Sequence, residues 1–442
     1  MKQAIVVGSG AGGATVARAL QGAFDVTILE AGGEFRPFSR ALGLPEHLKR
    51  AGLLFDARAI ELLFPAMRVQ RAGDGMVLVR GQGTGGTTTI GTGNALPLDG
   101  GLRALGIDLS EEFAELRRDI PITTDHQRHW RPATRRVFDV CRELQLEPEP
   151  LPKMGDHQHC RSCGRCVFGC PFGVKWDSRA FVRDAQARGA TLHTGWRVSR
   201  VVVKDGGATG VVAVSGWTRR FIPADVVVLA AGGLGTPVIL ERSGIACEPR
   251  LFVDPVLCVA APWPDARQNE ERAMPFFVQR DHYIVSPYFD NLSYFFNRSW
   301  RSRAPDTLSL MIKLADTAVG RTGGSARARA RKDLTAEDRR HLAEAVELCT
   351  QIFERLGVRT DALVLGTLNG GHPGGMVPLT AGDAATLHPA RLPQNVYVAD
   401  ASLFPESPGG PPSLTIMALA QRVARHVAQA WGLGARKPAG GR

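Results

Sequence analysis

Lys2-Gln-Ala-Ile-Val-Val-Gly8-Ser-Gly10-Ala-Gly-Gly13-Ala-Thr-Val-Ala-Arg-Ala-Leu20 opens the chain, and Asp25-Val-Thr-Ile-Leu-Glu30 follows it. Residues 2–7 form a short, largely apolar strand. The glycines make a turn, Ala14–Leu20 is helical in pattern, and Asp25–Glu30 is a second strand with an acid at its end. A lone G-x-G-x-x-G says little. Between a strand and a helix, with Glu30 placed for a ribose hydroxyl, it specifies a dinucleotide site. The first glycine makes the turn, the second lets backbone approach a pyrophosphate, and the third lets the helix pack on the strand. The helix N-terminus then faces the phosphates.

A second glycine cluster runs Arg80-Gly81-Gln-Gly83-Thr-Gly85-Gly86-Thr87-Thr88-Thr89-Ile90-Gly91-Thr92-Gly93-Asn94. It is too long for a hairpin turn. It reads as backbone laid against a flat ligand, with hydroxyls and amides presented to it. Further on, Lys175–Arg188 is helical in pattern, Thr191–Val203 is strand-like with Val211–Val214 as hairpin partner, and Asp225–Gly233 is a buried strand ending in glycines. Thr236-Pro237 reads as a helix start with a capping residue and a first-turn proline. From about residue 250 to 320 the texture changes. Phe276–Val285 and Thr307–Leu314 read as antiparallel strands. Asp333–Leu356 is amphipathic, with Leu342, Val346, Cys349 and Phe353 on one face. A strand at Asn395–Asp400 and a helix from Ser413 to about Trp431 follow.

Cys160-Arg-Ser-Cys163-Gly-Arg-Cys166-Val-Phe-Gly-Cys170-Pro171 has the C-x2-C-x2-C-x3-C-P spacing of bacterial ferredoxin ligands. Four of the eight cysteines crowd into this run, and Cys141, Cys247, Cys258 and Cys349 are scattered. In a reducing compartment such crowding argues for metal rather than disulfides. Soft thiolates suit iron and sulfide. In two-cluster ferredoxins the fourth cysteine serves the other cluster. With no second run here, Cys160, Cys163, Cys166 and Cys170 close on one [4Fe-4S] centre, ahead of a [3Fe-4S] cluster; zinc ranks below both. His157 and His159, just upstream, read as solvent-exposed loop histidines, with metal ligation as the alternative.

The 442 residues, 44% of them apolar, suffice for one large domain or two medium ones. No repeat, no Sec-type leader and no apolar run of about 18 residues stands out, so the expectation is a cytoplasmic protein without a transmembrane segment. The net charge of +11 is mostly arginine spread along the chain. One dense run, Arg321–Lys332, reads as a solvated loop. Its functional alternative is a docking patch for an acidic electron carrier or an anionic membrane surface. Nucleic acid is not an expected partner, because no aromatic–basic interleaving accompanies the charge.

Four segments together resemble the glucose–methanol–choline (GMC) oxidoreductase superfamily. They are GSGAGG (8–13) with ILEAG (28–32), GQGTGGTTT (81–89), VVVLAAGGLGTP (226–237), and GGHPGG (370–375) with NVYVADASLFPESPGGPPSLTIMALAQRVA (395–424). The resemblance implies an α/β fold: a Rossmann-like, discontinuous FAD-binding domain with an inserted substrate domain on an antiparallel sheet. The expected division is 1–249 (including the cysteine segment 157–175), 250–365 for the substrate domain, and 366–442. It implies that Gly8, Gly10 and Gly13 hold the FAD pyrophosphate and Glu30 the ribose. Gly85, Gly86, Thr87 and Thr88 would lie near the flavin, Val198 would meet the adenine, and Gly232, Asp400 and Ala401 would complete the cofactor site. His372 matches the family's catalytic histidine, which takes the alcohol proton while hydride leaves for the flavin.

This chain departs from the family's pattern where a second histidine or asparagine is usual: Gly409-Gly410-Pro411-Pro412 stands there, and position 91 is glycine. The cysteine run resembles that of the iron–sulfur-bearing FAD dehydrogenases of the family. The resulting expectation is a dehydrogenase that oxidises a CH–OH group of a sugar, sterol or similar alcohol. Electrons would pass from FAD through the cluster to a redox partner protein or quinone, with peripheral membrane contact compatible. The alternatives are an alcohol oxidase with structural cysteines and a reductase fed by a ferredoxin-like partner.

Overall fold

The computed structural model describes residues 1–38, 43–52, 59–323 and 330–433. The opening segment folds as the glycine pattern requires: strand β1 (Lys2–Val7), helix α1 (Ala11–Ala19) and strand β2 (Phe24–Glu30). Both faces of β1 are covered by other elements, so its run of apolar residues is continuous rather than alternating. Five parallel strands form this sheet, in the order Val396–Val398, Val226–Leu229, β1, β2, Thr191–Thr194. One edge strand therefore comes from near the end of the chain, which makes this part of the fold discontinuous in sequence. Helix α1 and the last helix, Ser413–Ala430, pack together on the sheet, their apolar stripes joined to one core.

A three-stranded antiparallel sheet (Arg197–Lys204, Gly207–Ser215, Thr218–Pro223) flanks the parallel one. A separate nine-stranded sheet is built around Pro255–Pro262, Thr307–Leu314, Tyr283–Pro287 and Phe276–Gln279. It also takes Met67–Arg71, Val77–Gly81 and Glu149–Pro150 from earlier in the chain, and Val364–Leu365 and Asn369–Gly370 from later. All its pairings are antiparallel except that of Asn369–Gly370 with Val77–Gly81. The arrangement is an α/β fold with a Rossmann-like parallel sheet and distinct antiparallel sheets, as the resemblance implies.

Helix Ala336–Arg355 covers the larger sheet. Thr335 and Asp338 form its capping box: the Asp338 N–H donates to Thr335 Oγ1 (3.1 Å) and the Thr335 N–H to Asp338 Oδ2 (2.9 Å). Cys349 and Phe353 are fully buried, whereas Leu342 and Val346 lie at the margin of the apolar face, whose centre includes Ala345 and Ile352.

Several elements differ from the sequence reading for identifiable reasons. The helix expected from Lys175 begins at Arg179, because Lys175 is drawn into a bridge with Gly155. The strand expected over 191–203 breaks at Gly195, whose φ of 74° turns the chain from the parallel sheet into the three-stranded one. The helix expected to start at Thr236 already starts at Gly232; the Thr236 hydroxyl donates to Asp400 Oδ2 (2.5 Å) instead of capping. Phe276–Val285 is a hairpin of two short strands rather than one strand.

In the basic run, residues 324–329 lie outside the described residues. Lys332 is not part of a solvated loop: it is buried and ion-paired with Asp316 (3.0 Å) and Asp338 (3.8 Å). No helix among the described residues is long and apolar enough to cross a membrane.

Candidate active site

The glycine turn sits at the C-terminal end of β1. Gly8 adopts φ 99°, and a Cβ there would lie 2.4 Å from the Ala230 carbonyl oxygen. A Cβ on Gly13 would lie 2.0 Å from the Gly8 oxygen, so this glycine lets α1 press against its own strand. Gly12, not singled out from sequence, is as restricted: a Cβ would lie 1.6 Å from the Ala399 oxygen, at the end of the edge strand Val396–Val398. Gly10 is different. The nearest atom to a Cβ there is 3.9 Å away, so nothing in the protein demands glycine. Gly10 is also the N-cap of α1 and no side chain caps the helix. The leading N–H groups of α1 thus face an open cradle that a single methyl would narrow. An anionic pyrophosphate fits both the donors and the helix dipole.

Glu30 closes one side. Its Oε2 accepts from the Ser9 N–H (3.1 Å) and hydroxyl (2.6 Å), and its Oε1 from the Gly32 N–H (2.8 Å). The Gly85 N–H donates to Ser9 Oγ (3.2 Å), and a Cβ on Gly86 would lie 2.9 Å from Gly10 Cα. The two glycine clusters are therefore docked on one another. Val198 reaches the same region: two residues before it, the Trp196 N–H donates to the Glu30 oxygen (2.9 Å). On the other side, Asp400 Oδ2 accepts from the Gly232 N–H (2.9 Å), and Ala401 follows directly. Burial raises the pKa of the Asp400 carboxyl. Gly8, Gly10, Gly13, Glu30, Gly85, Gly86, Val198, Gly232, Asp400 and Ala401 are brought to one end of the parallel sheet.

Beyond Gly86 the loop forms one wall of a cavity with about 1300 Å³ of unfilled space, part of it open to solvent. Thr87, Thr88 and Gly91–Asn94 line this wall, and His372, Lys313 and Asn369 line another. Pro411 and Ser413 also line the cavity, at the end of the Gly409–Pro412 stretch that holds neither histidine nor asparagine. Most of the remaining surface is aromatic and aliphatic, including Phe64, Phe168, Trp176, Phe295, Phe296 and Met311, with Asp290 and Asn291 as polar exceptions.

His372 is held by residues the sequence reading did not single out. Lys313 Nζ lies 2.6 Å from His372 Nδ1 and 3.3 Å from Asp254 Oδ2, and Asp254 Oδ2 lies 3.5 Å from His372 Nδ1. Asp254 is buried and pinned: its Oδ1 accepts from the Ser407 hydroxyl and from the Gly409 N–H (3.2 Å). It takes up φ 50°, a left-handed conformation costly for a non-glycine residue and one the surroundings must impose. Lys313 sits on the strand Thr307–Leu314 between Val256 and Ile284 of neighbouring strands. Burial lowers the pKa values of both Lys313 and His372. A lysine directly after the apolar run Leu310–Ile312 was the available sequence signal.

Cys160, Cys163, Cys166 and Cys170 line one small pocket, and all eight cysteines are free. Among the described residues no three His, Cys, Asp or Glu side chains converge closely enough to hold a single metal ion. Two buried basic side chains, Lys175 and Arg272, nevertheless line this pocket, and Lys153 lies close enough to interact electrostatically with Cys160 and Cys166. Lys175 Nζ donates to the carbonyl oxygens of Cys166 (3.1 Å), Thr88 (3.2 Å) and Thr89 (2.7 Å). Lys153 Nζ donates to the Ala273 oxygen (2.7 Å) and to Asn94, and burial pulls its ammonium down to about 7. Arg272 lines the pocket and keeps a buried Nε without a hydrogen-bond partner. Buried cations are costly unless matched by negative charge; Glu271, which lines the same pocket, offsets only part of this charge, so the donor set fits an anionic occupant better than four neutral thiols. His157 corrects the sequence expectation: it is buried, not exposed, with Nε2 on the Met154 oxygen (3.2 Å). His159 is exposed and pairs with Asp156 (2.6 Å).

Cradle, cavity and enclosed histidine together define a dinucleotide-dependent oxidoreductase. The chain belongs to the GMC oxidoreductase family. Family models described as GMC oxidoreductase match residues 101–257 and 391–420. An uncharacterized GMC-type oxidoreductase of Mycobacterium tuberculosis is 30% identical over 95% of this chain and 75% of its own. A long-chain-alcohol oxidase of Arabidopsis thaliana is 26% identical over 60% of this chain and 38% of its own. Among solved structures, pyridoxine 4-oxidase from Mesorbium loti superposes with a TM-score of 0.68 at 18% identity, covering 97% of this chain and 99% of that one. That likeness is one of fold.

Proposed function

We propose that this protein is an FAD-dependent dehydrogenase of small apolar alcohols that passes electrons through an iron–sulfur cluster to an external acceptor, a redox protein or a quinone. The observation that carries the reading is that the cavity and the cysteine pocket are back to back. Val167 and Phe168 line the cavity while Cys166 lines the pocket, and Lys175 ties Cys166 to Thr88 and Thr89 across the shared wall. Two redox centres placed there would be near neighbours.

FAD bound in the cradle supplies the hydride acceptor. Gly8, Gly10, Gly13 and Glu30 would hold its pyrophosphate and ribose, Val198 the adenine, and Gly232, Asp400 and Ala401 the opposite side. Gly85, Gly86, Thr87 and Thr88 would run beside the ring. His372 takes the alcohol proton. The aromatic walls favour a largely apolar substrate, while the polar side chains are gathered mainly on the Thr87–Asn94 and His372 walls, where its hydroxyl would be bound. The cluster supplies one-electron transfer, held by Cys160, Cys163, Cys166 and Cys170. Thiolates of a four-iron cluster bind different irons, so they need not converge on one point as ligands of a single zinc do.

Purified without oxygen, the protein is expected to show flavin absorption plus a broad iron–sulfur band, with iron and sulfide in stoichiometric amounts. Zinc without sulfide would exclude the cluster. Cys163→Ser should abolish reduction of a one-electron dye and leave flavin reduction by substrate largely intact. A second reading, an oxidase with structural cysteines, is favoured by the similarity to a long-chain-alcohol oxidase. Rapid peroxide formation in air would select it.

A further inference from the structure

We infer that Lys313 is the positioning residue that sets the tautomer of His372, the two side chains sharing one proton whose loss switches His372 from a hydrogen-bond donor to a base. The inference rests on the reading of His372 as the base in alcohol oxidation.

The geometry leaves few choices. Lys313 Nζ is 2.6 Å from His372 Nδ1, a hydrogen-bonding distance that demands one proton between the two nitrogens. An ammonium at Lys313 must donate to Nδ1. The ring proton then sits on Nε2, and the face of the imidazole left for a substrate is an N–H. Only a neutral amine can accept from Nδ1–H, which leaves the Nε2 lone pair free to take a proton. The other groups around the pair are accounted for. Asp254 contacts both members, at 3.3 and 3.5 Å. Asp316 lies behind it, accepting from the Asp254 N–H (2.9 Å), and is paired with Lys332 (3.0 Å). Asp290 lines the same cavity but is engaged by the Leu292 N–H (3.0 Å) and the Ser293 hydroxyl. Pro411 and Ser413 bring no second ring or amide to the cavity. Lys313 supplies from the sheet the second proton-handling group that the last helix lacks.

In the oxidation step the alcohol O–H proton moves to Nε2 as the proton on Nδ1 moves to Nζ. The hydride leaves the carbinol carbon with its electron pair for the flavin, so the alcohol is oxidised to a carbonyl and the flavin is reduced. The pair gains one positive charge, which Asp254 faces. The sign follows: oxidation is supported above the apparent pKa of the pair and fades as pH falls through it, and this value belongs to the pair rather than to either residue.

The test uses the flavin-loaded protein labelled with 15N-histidine, the His372 signals being assigned with His372→Gln. In the wild type, Nδ1 is expected to change from pyridine-like to N–H-bearing as pH rises, at the same pH as the rise in anaerobic flavin reduction. Lys313→Arg keeps the charge and the Asp254 pair but cannot give up its proton. It should hold Nδ1 pyridine-like at every pH and lower flavin reduction about 100-fold or more, the scale of lost general-base catalysis. Lys313→Met, in case arginine prevents folding, should move the acid limb to higher pH by about a unit, because Asp254 alone then faces the ring. Wild-type rate and tautomer in Lys313→Arg, or an unmoved limb in Lys313→Met, would overturn the inference while leaving His372 as the base. Unchanged flavin reduction in His372→Gln would overturn both.

Discussion

Gly10 and Gly13 look equivalent in the sequence, yet the structure assigns them opposite reasons for being glycine, and alanine at each separates them. At Gly13 a methyl would stand 2.0 Å from the Gly8 oxygen, roughly 1 Å inside the closest approach real Cβ atoms make. Both neighbours are backbone, so α1 must lift from β1, at about 1–3 kcal/mol, the usual range for overpacking. At Gly10 the backbone (φ −73°, ψ −163°) suits alanine, and the nearest atom is 3.9 Å away. Alanine there gains about 0.4–1 kcal/mol by restricting the unfolded chain, and loses about 0.5–1 kcal/mol as a poorer N-cap than glycine. The cofactor-free protein should therefore change by less than about 0.5 kcal/mol. FAD should be affected the other way, because the methyl occupies the approach to the pyrophosphate. A loss of about 1.4 kcal/mol or more, tenfold in Kd, is expected. Thermal unfolding of the flavin-stripped protein and FAD titration by flavin fluorescence give the two numbers. If Gly10→Ala binds FAD like wild type, or destabilises the stripped protein as much as Gly13→Ala, the cradle has been misread.

Glu112 is buried and accepts from Arg422 Nη2 (2.6 Å) and Arg425 Nη1 (2.6 Å), joining helix Ser110–Asp119 to the last helix. Breaking a buried pair costs about 3–5 kcal/mol. Here both arginines are partly exposed and can turn to water, so Glu112→Ala should cost about 2 kcal/mol in denaturant unfolding. His126 is buried, with Nε2 on the Leu151 oxygen (2.9 Å) and Nδ1 accepting from the Trp130 indole (3.2 Å). Burial lowers its pKa to about 3, so the folded protein keeps it neutral where the unfolded chain protonates it. Its contribution is present above pH about 6.5 and is lost as pH falls toward 3. That amounts to about 3 kcal/mol at pH 4, and His126→Gln should flatten the decline of stability between pH 7 and 4. Lys153→Met removes a cation beside the cysteines and should shift a cluster there to more negative potential in a redox titration; an unchanged potential would separate Lys153 from the centre.

What the sequence disclosed is what local rules govern. The turn at Gly8–Gly13 and the acid at Glu30 announce themselves because each works within a few residues of itself. That Val198, Gly232 and Asp400 come to the same end of the sheet was implied only by the family resemblance, since nothing local ties Val198 to Glu30 or Gly232 to Asp400. The Lys313–Asp254–Ser407 support of His372 was not read. Its members come from three segments whose meeting is decided by sheet register, and Asp254 earns its position through a backbone conformation that no residue pattern advertises. His157 was misjudged for a similar reason: being polar in a loop says nothing about whether Arg272 and His126 close over it.

The edge strand Val396–Val398 has a consequence for biosynthesis. Gly12 packs on Ala399, and Asp400 receives the Gly232 N–H, so the nucleotide cradle encoded in the first thirty residues lacks one wall until residue 400 has been made. A ribosome must translate every intervening segment first. Until then the early strands wait with an apolar border uncovered, and tight cofactor loading waits on the segment that carries Ala399 and Asp400.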